Sequence, residues 1–539
     1  MKTPAALFLV ASLLASCVTT QDGGLSKHHF EISSNSPKAQ RAFNRGLTLA
    51  YAFSYKAAED EFRDAATADP QCAMAWWGVA LVNGPHINFP LVPPDKAKTA
   101  WEALTKAKAL SGHASERERA LIAALNTRYS WPQPANRRPL DEAYAAAMGR
   151  LAQAYPNDAD ILTLHAESMM DLRPWDLWTL DGKAQPGTPK IVATLERALA
   201  VNPRHPGANH FYIHAVEASP EPARAMAAAD RLRNLVPAAG HLVHMPAHID
   251  ARVGHWDAAA SANVRAMKAD AAYRSKHPRP GFYAIYMAHN THFFAFAATM
   301  QGRSGEALTH ARKMIADMPK DFLQDYAAVA DGYMIFPSHV LMRFGRWEEV
   351  LVEPKPAANL PLANAFWHYT RTAAFNALGR DEEAKSEKAA FLTAANRVPK
   401  DGTFGNNAAH DLLAIARLVI NGEIAARHQR YDAAIASLER AVALEDKLRY
   451  DEPPDWIQPV RHSLGAVLLK AQRFSQAEQV YRADLVRYPH NGWSLFGLGR
   501  ALRGQGKNAE AREVESQFRS VWRKADFQLT SSCLCLPQA

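Results

Sequence analysis

Seven histidines in the middle of the chain recur at fixed separations, and imidazole groups in such a pattern can bind a metal ion. They are His210, His214, His241, His244, His248, His289 and His292. The two pairs that begin at His210 and His214 are each separated by 34 residues, and the two that begin at His241 and His244 are each separated by 48. Scattered core histidines have no reason to keep such a register. The recurrence indicates that equivalent positions of a structural repeat carry imidazole.

The short spacings within this set suit metal coordination from helices. His210 and His214 are four residues apart, and His289 and His292 are three apart. Residues at these distances share one face of a helix, so each pair can offer two nitrogens to one ion. Three or four neutral imidazoles favour Zn(II), with Cu(II), Ni(II) and Fe(II) as alternatives. All seven histidines are therefore candidate ligands of a divalent transition metal.

Glu217 follows His214 by three residues and is the candidate catalytic group. It can be a ligand, an outer partner of a ligand, or the general base of a metal-dependent hydrolase or oxidase. Two other readings stay open. The histidines can line a groove that recognises an acidic peptide or a proton-sensitive partner, or the chain can be a pure assembly scaffold.

The elements that must position these residues are helices. Alanine-rich segments with Leu and Arg dominate, and alternating Val, Ile and Thr are nearly absent, which predicts an all-α fold. A chain of 539 residues exceeds one compact core, so it is either several domains or one repeat array. The first repeat places small, aromatic and terminating residues in order: Gly46, Ala58, Phe62, Ala65 and Pro70.

This order resembles the tetratricopeptide repeat superfamily, whose period is 34 residues. A clear later copy has Gly465, Phe474, Ala477, Tyr481 and Pro489. The resemblance implies a right-handed solenoid of helical hairpins over residues 37–523, with His-rich central repeats near 203–300 and regular C-terminal repeats near 415–523. It also implies that the first helix of each repeat lines a concave groove, which would hold the seven histidines and a protein or peptide partner.

Three segments also match a narrower group of bacterial tetratricopeptide lipoproteins with His-rich repeats. They are Asn209 to Glu217, His241 to Trp256, and Cys72 to Gly78. That group has no established activity, so the resemblance implies a fold and a site, not a reaction.

Proline-rich insertions interrupt the repeats at residues 84–94, 174–189 and 276–281. Insertions in solenoids form loops on one face, often beside the binding surface. Pro246 falls inside an expected helix and predicts a kink or the start of a new helix.

The N-terminus is predicted to be a lipoprotein signal peptide over residues 1–16. Lys2 precedes an apolar stretch, and Leu14-Ala15-Ser16-Cys17 resembles a bacterial lipobox with lipidation at Cys17. Val18 then favours the outer membrane, so we expect a cell-envelope protein that faces the periplasm. Residues 17–36 read as a flexible tether. The alternative is an ordinary secretory leader.

Charge and cysteine content argue against a nucleic-acid-binding protein and against a disulfide-stabilised fold. The net charge of +8 is spread in mixed sign rather than gathered in one patch, so no nucleic-acid partner is expected. Beyond Cys17 only Cys72, Cys533 and Cys535 remain, too few for a disulfide scaffold. The last two lie in a tail, residues 524–539, where they can pair or bind a soft metal, although a tail without structure is the simpler expectation.

Overall fold

The computed structural model describes residues 24–25 and 27–536, so the predicted signal peptide and Cys17 lie outside the described residues. The N-terminal third consists of α1 (Pro37–Ala50), α2 (Tyr55–Ala68), α3 (Ala73–Leu81), α4 (Pro94–Ala109), α5 (Glu116–Asn126), α6 (Arg138–Ala154), α7 (Ala159–Met170) and α8 (Thr188–Val201). Small residues set the close approach of the first helices. An added Cβ would lie 2.8 Å from the Phe62 ring at Gly46 and 2.4 Å from it at Gly78, so only glycine fits on either side of this ring.

The central third carries the recurring histidines. Its helices are α9 (Pro206–Val216), α10 (Met226–Leu232), α11 (Gly240–His244), α12 (Pro246–Arg252), α13 (Trp256–Lys276), α14 (Ala284–Met300), α15 (Ser304–Asp317), α16 (Lys320–Asp325), α17 (Ala327–Ala330), α18 (Phe336–Arg343) and α19 (Trp347–Val352). Pro246 starts a new helix directly after α11, as its sequence position predicts. Proline suits this place because the first helical position needs no amide hydrogen.

The C-terminal third repeats more regularly. It contains α20 (Pro361–Ala377), α21 (Asp381–Ala395), β1 (Thr403–Phe404), β2 (Asn407–Ala408), α22 (Ala409–Arg427), α23 (Tyr431–Glu445), α24 (Val460–Lys470), α25 (Phe474–Arg487), α26 (Gly492–Gly504) and α27 (Asn508–Val521). The two short strands form one antiparallel hairpin. Most consecutive helices pack against each other along the chain, which confirms the prediction of an all-α solenoid of paired helices. None of the helices in the described part of the chain is long and apolar enough to cross a membrane.

The C-terminal repeats fold back onto the central ones. The Trp256 indole donates to the carbonyl of Pro489 at 2.9 Å, and the Trp493 indole donates to the carbonyl of Thr299 at 2.7 Å. These contacts join residues about two hundred positions apart. The Tyr450 hydroxyl lies 3.4 Å from the Glu217 carboxylate, and nearly all the recurring histidines are buried. The face that carries them is therefore largely covered by the chain itself.

Both ends of the described chain are more ordered than the sequence suggests. Phe30 and Ile32, inside the predicted tether, are buried against the first repeats. Cys533 and Cys535 form a buried disulfide instead of lying in an unstructured tail, and Cys72 is a buried free thiol. The apolar residues near each end account for the difference, because exposing them to water would cost free energy.

Candidate metal centre

Helices α9, α11, α12 and α14 bring six of the seven predicted histidines together. They form two groups of three, and within each group one nitrogen per ring lies within 4.8 Å of the others. We call His210, His214 and His241 the first triad, and His244, His248 and His289 the second triad. Five of these rings are buried, and His289 is half-buried. Six of the seven histidines that keep the 34- and 48-residue register thus lie close together.

In the first triad the Nε2 atoms of His210 and His241 face each other at 3.1 Å. His210 uses its other nitrogen, Nδ1, to donate to the backbone carbonyl of Tyr51 at 2.7 Å. A carbonyl only accepts hydrogen bonds, so the Nε2 of neutral His210 carries a lone pair. The Nε2 of His214 has no hydrogen-bond partner among the described residues. Two ring nitrogens of the triad are therefore available to a cation.

In the second triad the facing nitrogens lie even closer together. The Nε2 of His244 lies 2.7 Å from that of His248 and 3.0 Å from that of His289. His244 Nδ1 lies 2.7 Å from Asn263 Oδ1, and the amide nitrogen of Asn263 donates to the carbonyl of Ala259. This second bond sets the orientation of the amide, so His244 donates through Nδ1 and its Nε2 carries a lone pair.

Glu217 connects the two triads from behind. Its Oε1 accepts from His214 Nδ1 at 2.7 Å, and its Oε2 makes an ion-pair contact with His248 Nδ1 at 2.5 Å. The carboxylate is fully buried. Burial raises the pKa of Glu217, but the adjoining His248 and His214 rings outweigh it and hold that pKa below its ordinary range. Of its three predicted roles, Glu217 therefore has the geometry of an outer partner, which orients ligands and increases their basicity.

The facing nitrogens need a positive charge between them. His248 presents Nδ1 to the Glu217 carboxylate, so neutral His248 and neutral His244 direct two lone pairs at each other across 2.7 Å. A metal ion or a proton relieves this repulsion. Burial lowers the pKa values of His210, His241, His244 and His289 well below the ordinary range, with neighbouring imidazoles adding to the effect. These four rings are neutral near pH 7, which is the form that binds metals. Burial opposes protonation of His248 too, but the Glu217 carboxylate outweighs it and raises the pKa of His248, so a metal bound there would replace a proton.

His292 lies apart from both triads. Its ring packs edge-on against Phe336 at 4.3 Å and against Tyr333 at 5.3 Å between centroids. Burial lowers the pKa of His292 to about 3. Residues three apart on a helix differ by about 60° in direction, which is enough for His289 and His292 to face different neighbours. We therefore leave His292 out of the ligand set.

A cavity of about 440 Å³ opens onto the triads. Two rings of each triad line it, and so do residues of the first two insertions and the residue after the third. The lining includes Ile87, Asn88, Pro90, Pro174, Trp175, His214, His241, His248, Phe282, His289, Asp451 and Glu452. The prediction that the insertions lie beside the site agrees with this placement.

Sequence reasoning missed the parts of the site that come from distant segments. Asn263, the Tyr51 carbonyl, Asp451 and Glu452 carry no motif, and only folding brings them to the histidines. Burial raises the pKa of Asp451 to about 6 and that of Glu452 to about 7. No local signal could have identified these residues.

A further cluster of similar residues has the opposite hydrogen-bond pattern. His205 Nδ1 accepts from the backbone amide of Ala208 at 3.0 Å, so its Nε2 carries the hydrogen and donates to Asp160 Oδ1 at 3.0 Å. Tyr51 donates its hydroxyl to the same oxygen. Neutral His205 thus has no unused lone pair. This cluster caps α9 and joins it to α7, and we do not count it among the candidate metal sites.

The comparisons with known proteins add little to this geometry. No protein family matches the sequence, and no curated protein matches it either. Among solved structures, a human IFIT1 dimer with PPP-AAAA shares 13% identity over 88% of this chain and 89% of that chain, with a TM-score of 0.33. The APC/C hetero-tetramer Cut9-Hcn1 shares 12% identity over 90% of this chain and 76% of that chain, with a TM-score of 0.29. Structural similarity at this level does not indicate what this chain binds.

Proposed function

We propose that this protein is a tetratricopeptide-type solenoid whose central histidine cluster binds a divalent transition metal, with Zn(II) favoured. The observation that carries the proposal is the convergence of Nε2 atoms whose rings are held from behind through Nδ1. Tyr51, Glu217 and Asn263 supply those contacts. A ligand histidine fixed through its second nitrogen is the usual arrangement in protein metal sites.

The direct test is elemental analysis of protein purified without chelator or polyhistidine tag. The double variant His210→Ala, His214→Ala should bind less metal than wild type, while circular dichroism keeps its helical signal. His410→Ala is the matched control, since this residue lies outside both triads and is exposed. Wild-type protein that takes up no Zn(II), Cu(II), Ni(II) or Fe(II) near neutral pH, even in excess, would refute the proposal.

The cavity favours a second candidate, a metal-dependent hydrolase or oxidase. A histidine-bound ion becomes catalytic when a coordination position stays open to a substrate, and the cavity reaches rings of both triads. Glu217 is then a positioning residue rather than a general base, because both of its oxygens face histidines. Turnover of any substrate that persists after complete removal of the metal would exclude this candidate.

The cellular setting is also a proposal. The lipobox supports lipidation of Cys17, anchoring in the outer membrane and a periplasmic body, in line with the resemblance to bacterial lipoproteins. A protein or peptide partner would need a surface other than the histidine face, since the histidines are largely buried. A nucleic-acid partner is not expected, because basic and acidic residues are interspersed along the chain. Palmitate labelling that survives Cys17→Ala would refute the anchor.

A further inference from the structure

We propose that the histidine cluster holds two metal ions, one in each triad, with open positions that share one cavity. This inference rests on the proposed function and makes it more specific. It differs from the simplest reading of the sequence, in which all the histidines contribute to a single ion.

Each triad is a complete ligand set by itself. Three imidazole nitrogens lie together in each, and no histidine belongs to both. Three protein ligands plus one exchangeable position is the usual coordination of a catalytic zinc ion. A single ion of four ligands would leave at least two of the six rings unused. A buried polar atom without a partner costs about 1–3 kcal/mol.

The triads are neighbours, not separate sites. The ring centroids of His214 and His248 are 5.8 Å apart, and those of His241 and His244 are 5.9 Å apart. Each of these pairs spans the boundary between the triads. Glu217 contacts one ring on each side with its two oxygens. Loss of this carboxylate would therefore disturb both ions.

Carboxyl groups beside the cluster can offset the charge of bound cations. Glu217, Asp451 and Glu452 place three carboxyl groups beside rings that are neutral when they act as ligands. The cavity lining includes no lysine or arginine within the described chain. Arg252 lies nearby, where it donates to the backbone carbonyl of Glu217 at 2.9 Å. Burial raises the pKa values of Asp451 and Glu452, and a nearby cation would favour their ionised forms.

The shared cavity indicates what the centre would bind. His214 and His241 of the first triad and His248 and His289 of the second line the same space. A small ligand with an oxygen or nitrogen donor atom can therefore reach both ions at once. Two-metal sites stabilise the attacking and leaving atoms of one substrate in this way. The volume of about 440 Å³ admits a small molecule, not a folded partner.

The decisive measurement is the metal-to-protein ratio of the full chain after loading with Zn(II) or Cu(II) and removal of the excess. Wild type should bind two ions. His241→Ala and His289→Ala, which each remove one ligand of one triad, should each bind about one, and the combined variant should bind none. His410→Ala should keep two.

The outcomes separate the two proposals. A wild-type ratio of zero defeats the proposed function itself. A ratio of one, lost entirely in either triad variant, leaves the proposed function standing and overturns the two-ion inference. A spectroscopic measurement on the wild-type protein tests the inference even where the variants misfold. Two neighbouring Cu(II) ions should show magnetic coupling that one ion cannot, and azide should perturb both. An uncoupled signal from the fully loaded protein would overturn the inference.

Discussion

The central histidine cluster and the His205–Asp160 cluster use the same side chains with opposite hydrogen-bond polarity. In the central cluster His210, His214 and His244 donate through Nδ1, so each has an Nε2 lone pair that faces the cluster. At His205 a backbone amide occupies Nδ1, so Nε2 donates to Asp160. Proximity of histidines and carboxylates is thus not enough to define a metal site. What matters is which nitrogen of each ring already carries the hydrogen.

His462 repeats the second pattern elsewhere in the fold. Its Nδ1 accepts from the Arg343 guanidinium at 2.7 Å, and its Nε2 faces Asp484 at 2.8 Å. Both nitrogens are occupied in the protein interior. His462 would therefore be a poor control for metal binding, since removing it would damage the core.

The largest expected effect concerns the His205–Asp160 cluster, to which we assign a structural role. His205→Ala removes a donor to buried Asp160 and the cap of the Ala208 amide. We expect the free energy of unfolding to fall by about 3 kcal/mol, the upper range for losing a hydrogen bond to a buried charged group. Chemical denaturation measures this. The metal-to-protein ratio should not change, and a loss of metal here would break the comparison.

The next effect tests the metal side. Glu217→Gln replaces a carboxylate whose two oxygens face His214 and His248 with an amide that presents an oxygen to only one of them. Metal affinity should fall on the order of 100-fold, the upper range for loss of an outer partner. Competition with a chromophoric chelator measures it. Asp160→Asn is the matched control and should leave the affinity within a factor of two or so.

The effect that is smallest near neutral pH concerns His292, which changes the free energy of unfolding mainly in acid. The folded pKa of about 3 lies below the unfolded value of about 6.5. The unfolded chain therefore binds the proton first, and the stability contributed by this ring is present above pH 6.5 and lost as the pH falls toward 3. His292→Phe should reduce the pH dependence of unfolding by at most about 1.4 kcal/mol per pH unit in this range.

The aromatic neighbours of His292 make phenylalanine a close replacement. Metal content should therefore stay at the wild-type ratio in His292→Phe. A lower ratio would return His292 to the ligand set.

Much of the architecture could be predicted from local patterns. Gly46, Phe62 and their counterparts mark helix pairs because close helix packing demands small residues against a ring. Pro246 marks the break between α11 and α12 because proline cannot continue a helix interior. The insertions could be located because their prolines are incompatible with helix. These rules act within one repeat, so a single sequence reveals them.

The site could be predicted only in part. The register identified six rings that do meet. It also included His292, which lies about 60° around α14 from His289 and therefore faces other neighbours. The role of Glu217 stayed open, because its distance from His248 depends on how α9 and α12 pack. Asp451 and Glu452 could not be predicted, since no motif near them in the sequence connects them with the histidines.

The sequence by itself determined the helical repeats and the recurrence of histidine on them, because both arise from spacing along one chain. Only the tertiary structure decided that the rings divide into two triads, that Glu217 stands behind both, and that the C-terminal repeats cover the face they share. These features depend on distances between elements far apart in the chain. Such distances are fixed by packing of whole repeats, and no local residue pattern encodes them.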